Sequence, residues 1–354
     1  MTLPLEAWNN PVRNGVMGGS GAGMRTREGW PVAESVDELL AGATTRESFA
    51  SSDGKSGVPM ERVVIDGARF VVKHVSVEND WIMRATGDIG CRPLLVWRSG
   101  LLARVPPSID HGFVGIAQEP RGAAILMRDV SAGLVPEGDG VIPPEQNLRF
   151  LDHMAKLHAA LWGWEDTIGL VPFSSRYSFF TSQVAACEEA LGSGAEVPKI
   201  ADKGWRRLTT VAPRLADIVI PLLRDSDLLV AALDATPQTF VHGDWKMGNL
   251  GSHPDGRTIL IDWAIPGRAP PCVDLAWYVA LNRRRLPHTK DETIDGYRAA
   301  LEVHGIDTAP WWEHQISLAL LGAAVQFGWE KAYDEPDEIA WWEERAVEGA
   351  RRLG

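Results

Sequence analysis

The stretch Val241-His-Gly-Asp-Trp-Lys-Met-Gly-Asn-Leu250 constrains this chain more than any other. It places His242, Gly243, Asp244, Lys246 and Asn249 directly after an apolar, β-type run, "TFV". A carboxylate, an amine and an amide so close together are costly to bury without partners. A ligand that brings metal ions and phosphates would supply those partners. The fold must therefore hold a short strand that delivers this loop to a cleft, and the rest of the chain must supply the cleft.

Asp262 follows Asn249 at the end of the next short apolar run, "TILID". A hairpin of that size brings Asp244, Asn249 and Asp262 around one point. Two carboxylates and an amide oxygen suit Mg²⁺, which prefers oxygen and keeps waters for phosphates to replace. Zinc is disfavoured, because no His or Cys cluster accompanies them.

Upstream, the pattern is β-rich. "TTRESFA" precedes a loop of small residues, "SSDGKSG". "VPMERVVI" and "ARFVVKHV" are separated by Asp66-Gly67, which between β-branched runs predicts a hairpin. Lys73 lies in the second arm, where alternation turns it toward one surface of a sheet. A second hairpin is expected around Arg121-Gly122, giving about five strands in residues 40 to 130. Beyond Pro143 the period changes. Leu148, Leu151, Met154, Leu157, His158 and Leu161 fall on one helical face. Most of the remainder reads as helix. The expected organisation is a flexible N-terminal arm over 1–30, a β-rich lobe over 31–130 and a helical lobe over 131–354. The Gly-rich "GVMGGSGAGM" belongs to the arm, since it lacks the order of a phosphate loop.

Composition narrows the partners. Apolar residues make up 45% of the 354, so the chain is globular. A formal charge of −12 argues against nucleic acid or an anionic membrane as partner. No apolar run is long enough to cross a bilayer. The N-terminus lacks the pattern of a secretory signal. The three cysteines are scattered in no metal-ligand spacing, which suits a cytoplasmic location.

These residues together resemble the aminoglycoside phosphotransferase and choline kinase-like family of the protein-kinase-like superfamily. "HGDWKMGN" resembles its H-G-D-x-x-x-x-N catalytic loop, "IDW" its counterpart of the kinase D-F-G, "VVK" its strand lysine and "PPCVDLAWYV" its following D-L-A segment. The resemblance implies an α+β, two-lobed kinase-like fold and ATP-dependent phosphorylation of a small-molecule hydroxyl with Mg²⁺. It implies that Asp244 accepts the acceptor's proton and that Lys246 neutralises the moving phosphoryl. Asn249 and Asp262 would hold Mg²⁺, and Lys73 would pair with the α- and β-phosphates. Ser51, Ser52, Gly54 and Gly57 would cover the triphosphate, and the backbone around Met127 and Asp129 would bond adenine. The acidic partner of Lys73 is Asp88, Asp80 or Glu78, with Asp88 nearest the family's spacing. Gly243 stands where protein kinases carry Arg, so control by activation-loop phosphorylation is not expected. Asp274 is expected to anchor the loop's backbone. The acceptor is expected near residues 310 to 338, where Glu313, Glu330 and Asp334 accompany Trp311, Trp312 and Trp329. The alternative is a non-catalytic, ATP-binding pseudokinase-like regulator. Its mark would be loss of a metal ligand or the base, and neither is lost.

Overall fold

A computed structural model describes residues 30–49 and 57–353. The expected arm over 1–30 and the expected phosphate-covering residues Ser51, Ser52 and Gly54 lie outside the described residues, Trp30 excepted. The strands are β1 (Ala43–Phe49), β2 (Met60–Ile65), β3 (Ala68–Ser76), β4 (Ile109–Asp110), β5 (Phe113–Glu119), β6 (Gly122–Arg128), β7 (Thr239–Val241), β8 (Leu250–Ser252), β9 (Thr258–Leu260) and β10 (Gly267–Ala269). The first helices are α1 (Val36–Leu39), α2 (Trp81–Ala85), α3 (Arg92–Arg98) and α4 (Pro144–Ala160). Then come α5 (Ser182–Leu191), α6 (Glu196–Val211), α7 (Pro213–Arg224) and α8 (Asp227–Asp234). The last are α9 (Cys272–Asn282), α10 (Lys290–Val303), α11 (Trp312–Lys331) and α12 (Pro336–Arg351).

The five long strands form one antiparallel sheet in the order β1-β2-β3-β6-β5. The β2–β3 turn has φ of 49° at Asp66 and 79° at Gly67. Two successive positive φ angles match the right-handed strand twist, which is why Asp-Gly serves there. Each face of the sheet has its own core. Val63, Phe70, Val72, Ala124 and Leu126 pack with Leu39 and Leu40 at the end of α1. Val75, Ile116, Ala123 and Ile125 join a second core that runs on into the helices. Alternation along β3 thus points Phe70 and Val72 one way and Lys73, with Val75, toward the helical side.

The helical side is built around α11, buried on nearly every residue from Trp312 to Lys331. A helix apolar all round must be enclosed, and α11 packs against α6, α7, α9 and α12. α4 follows the expected stripe, with one correction. Leu148 is 52% exposed, and the buried face runs instead through Asn147, Phe150, Leu151, Met154 and His158. At about 100° per residue, Leu148 falls off the edge of that stripe. The short strands β4, β9 and β8 form a second sheet, and β7 pairs with β10. β7 to β10 lie between α8 and α9, and the loop of His242 to Asn249 runs from the end of β7 to the start of β8. Cys91, Cys187 and Cys272 are unpaired. Among the described residues no helix is long and apolar enough to cross a membrane.

Candidate active site

After β7 the chain turns at Gly243, with φ of 84°. A Cβ there would collide with the Ile265 carbonyl and the Arg176 guanidinium, so both conformation and space require glycine. The turn is pinned by Asp274 in the first turn of α9. Its carboxylate accepts the N–H of His242 at 2.9 Å and of Gly243 at 2.8 Å, the anchoring role expected for it. His158 of α4 lies 3.3 Å from the same carboxylate and 2.5 Å from the Tyr297 hydroxyl. Burial works against the ionised form of Asp274. The His158 bond and neighbouring positive charge outweigh it and hold the carboxyl below its usual range.

Arg176 lies beneath the turn, fully enclosed, and donates to the Ile265 carbonyl at 2.8 Å. Its other terminal nitrogen reaches the Gly243 carbonyl. Burial pushes the His242 imidazole below its ordinary range, and its Nδ1 accepts the Asp244 N–H at 3.3 Å. The ring stands edge-on to Trp263, centroids 4.9 Å apart. His242 therefore shapes the loop. Farther along, Met247 N–H donates to Asn282 Oδ1 at 2.9 Å, at the end of α9.

This support presents three side chains together. Asp244 Oδ2 accepts the Asn249 amide at 2.7 Å and stands 3.0 Å from Lys246 Nζ. Asp244 Oδ1 accepts the Trp277 indole N–H at 3.0 Å. Asp262 comes in from the far side. Its φ of 63° is uncommon for a residue with a side chain, and such geometry tends to occur at functional sites. Its Oδ1 meets Lys73 Nζ at 2.7 Å, joining the sheet to the loop after β9. Burial opposes both charges. Each nevertheless stabilises the other, so the Lys73 ammonium sits above its ordinary range and the Asp262 carboxyl below.

The acidic partner of Lys73 differs from expectation. Asp88 accepts the Arg92 N–H at 2.9 Å at the start of α3, and Glu78 pairs with Arg121 at 2.9 Å. The direct partner is Asp262. Asp80 caps α2 through Ile82 N–H at 2.8 Å, and its charge also acts on Lys73. Burial pushes the Asp80 carboxyl up to about 6, with Lys73 pulling the other way. A side chain that caps a helix so near a strand lysine can serve both ends, which sequence spacing does not reveal.

The expected hinge residues lie where the chain leaves the sheet. Met127 pairs with Val71 and Phe113, and Asp129 N–H donates to the Arg69 carbonyl at 3.2 Å. The acids expected near the acceptor have protein partners. Asp334 is bonded to Arg283, Glu313 stands 3.2 Å from Arg298 and Glu330 3.4 Å from Lys331. Trp311 and Trp312 sit at one end of α11, beside Trp162 and Tyr297. Trp329 is at the other end, where Phe327 meets Trp277 at 4.7 Å. At about 1.5 Å per residue the two ends are roughly 25–30 Å apart, so the aromatic residues of α11 do not form one wall.

Asn249 Oδ1 and Asp262 Oδ2 accept no hydrogen bond from the described residues. Two hard oxygen donors beside a compensated carboxylate fit Mg²⁺. No group of three or more His, Cys, Asp or Glu among the described residues could hold a metal alone. A cation here would have to complete its shell with phosphate oxygens and water.

The profile of the phosphotransferase enzyme family, APH, matches residues 99–310. Choline kinase LicA from Streptococcus pneumoniae superposes with a TM-score of 0.50 at 13% identity, covering 89% of this chain and 96% of that one. The structure of LicA in complex with AMP gives 0.50 at 14% identity, covering 88% and 93%. Aminoglycoside phosphotransferase APH(3'')-Id from Streptomyces rimosus gives 0.47 at 17%, covering 82% and 96%. The two LicA superpositions agree with a kinase-like fold. No curated protein sequence matches the chain.

Proposed function

Because this chain belongs to the phosphotransferase enzyme family, we propose that it transfers the terminal phosphoryl of ATP, with Mg²⁺, to a hydroxyl of a small-molecule acceptor of aminoglycoside, sugar or amino-alcohol type. The observation that carries this reading is the meeting of Lys73 with Asp262, 2.7 Å apart, beside the loop that holds Asp244, Lys246 and Asn249. Asn249 and Asp262 would hold Mg²⁺, which when bound offsets phosphate charge. Lys73 binds the non-transferred phosphates and keeps Asp262 ionised. Asp244 orients the acceptor hydroxyl and takes its proton. Lys246 supplies positive charge beside the phosphoryl as it moves. The backbone near Met127 and Asp129 would take the base of the nucleotide. The AMP in the LicA complex supports a nucleotide at this kind of cleft.

Two measurements test the proposal. ATP plus Mg²⁺ should raise the melting temperature more than either alone. A panel of aminoglycosides, sugars and amino alcohols should contain at least one compound that drives ADP release. No thermal shift would refute nucleotide binding. A shift without turnover on any compound would favour the pseudokinase-like alternative.

A further inference from the structure

The hydrogen bonds around Asp244 are unequal. Oδ2 accepts the Asn249 amide at 2.7 Å and lies 3.0 Å from the Lys246 ammonium. Among the described residues Oδ1 accepts one donor, the Trp277 indole at 3.0 Å. A carboxylate offers about four lone-pair directions. Among the described residues Oδ2 faces two donor groups and Oδ1 only the indole, so the open direction is on Oδ1. An indole N–H can only donate, so it competes for no proton. Trp277 is itself fixed. It is 4% exposed on α9, three residues after Asp274, and its ring stands edge-on to Phe327 at 4.7 Å. One helix turn thus secures the loop's backbone through Asp274 and its carboxylate through Trp277.

We infer that Trp277 is the positioning residue of the reaction, and that its indole N–H aims Asp244 so that Oδ1 receives the acceptor's proton. This rests on the phosphotransferase reading above. Without the indole, the carboxylate keeps only the donors on Oδ2 and can rotate about χ2, so the open lone pair no longer faces one direction.

Two substitutions separate positioning from packing. Trp277→Phe keeps an apolar ring against Phe327 and loses the donor. Trp277→His loses the larger ring but keeps an N–H at the corresponding position of its five-membered ring. Melting temperature should fall in the order wild type, Phe, His. ADP release, measured with Mg²⁺-ATP and either water or the panel's best compound as acceptor, should fall in the order wild type, His, Phe. Trp277→Phe should lower kcat by about 10- to 100-fold, the worth of one hydrogen bond to a charged group, with the KM for ATP unchanged. Activity that instead follows melting temperature, or a raised KM for ATP with kcat intact, would overturn the inference. An activity-independent arm reads the bond itself. The indole ¹⁵N–¹H resonance absent from Trp277→Phe should move in Asp244→Ala, and a resonance that stays in place would refute the contact. A wild type with a movable resonance but no ADP release would contradict the phosphotransferase reading, not the bond.

Discussion

The two halves of the site are held in different ways. The loop from Val241 to Asn249 is braced by buried groups from several elements: Asp274, Trp277 and Asn282 from α9, and Arg176 from the turn before α5. The Lys73–Asp262 pair is one contact across the cleft, with side chains 14% and 31% exposed. On the proposed function the loop is the chemical half, and this bracing by protein groups gives the fixed positioning that the reaction requires. On the same proposal Lys73 and Asp262 are the nucleotide half, whose two charges phosphate and metal would share. The first should fail by losing rate or fold, the second by losing binding.

The largest expected effect falls on rate. Asp244→Asn should reduce turnover on the order of 10²–10⁴-fold, the usual worth of a general base. Asp262→Ala should abolish it. Steady-state ADP release measures both, and a residual rate for Asp244→Asn near wild type would remove Asp244 as base.

Stability should show the converse. Asp274→Ala leaves the His242 and Gly243 N–H groups unpaired in the interior, at about 1–3 kcal/mol each. Lys73→Met should cost far less fold stability while weakening ATP binding. Urea unfolding of both variants tests the contrast, which disappears if the two are destabilised equally.

Asp80 sharpens it through pH. Its carboxyl is raised to about 6 in the fold, against about 4 when unfolded. The folded state therefore binds this proton more tightly, and its contribution to stability declines as pH rises from about 4 to about 6. Asp80→Asn should remove that decline, a few kcal/mol at most at about 1.4 kcal/mol per unit. Denaturation midpoints across that window measure it, and an unchanged slope would contradict the assignment. Asp262 has the opposite sign. Its depressed carboxyl contributes above the unfolded value near 4 and loses that contribution in more acid solution.

Smallest is the effect of exchanging one cation for another. Lys246→His should keep measurable activity because imidazolium can still offset phosphoryl charge, whereas Lys246→Ala should lose more. Equal rates for Lys246→Ala and wild type at saturating ATP would exclude Lys246 from the mechanism.

What was legible in the sequence follows the same division. The loop could be read because Asp244, Lys246 and Asn249 are neighbours in the chain, and their burial needs a reason. The hairpin at Asp66-Gly67 and the facing of Lys73 follow from local turn chemistry and strand alternation. The bracing was hidden because it is long-range. Arg176, in "SSRYS", carries no local signal of burial. Trp277 and Asn282 did carry one, as polar groups, with Asp274 and Tyr278, in the mostly apolar helix "CVDLAWYVALN". The pairing of Lys73 with Asp262 spans 189 residues, whereas the family's usual spacing pointed to Asp88. Glu313 and Asp334 were expected near the acceptor because their partners Arg298 and Arg283 lie 15 and 51 residues away, beyond local spacing.

Calorimetric titration of Mg²⁺-ATP into wild type, Asp244→Asn and Asp262→Ala tests most directly the separation of roles between Asp244 and Asp262. Asp244→Asn should bind as wild type does, and Asp262→Ala should lose most of its Mg²⁺-dependent affinity. Equal loss in both variants, each still folded, would contradict the assignment of one carboxylate to the proton and the other to the metal.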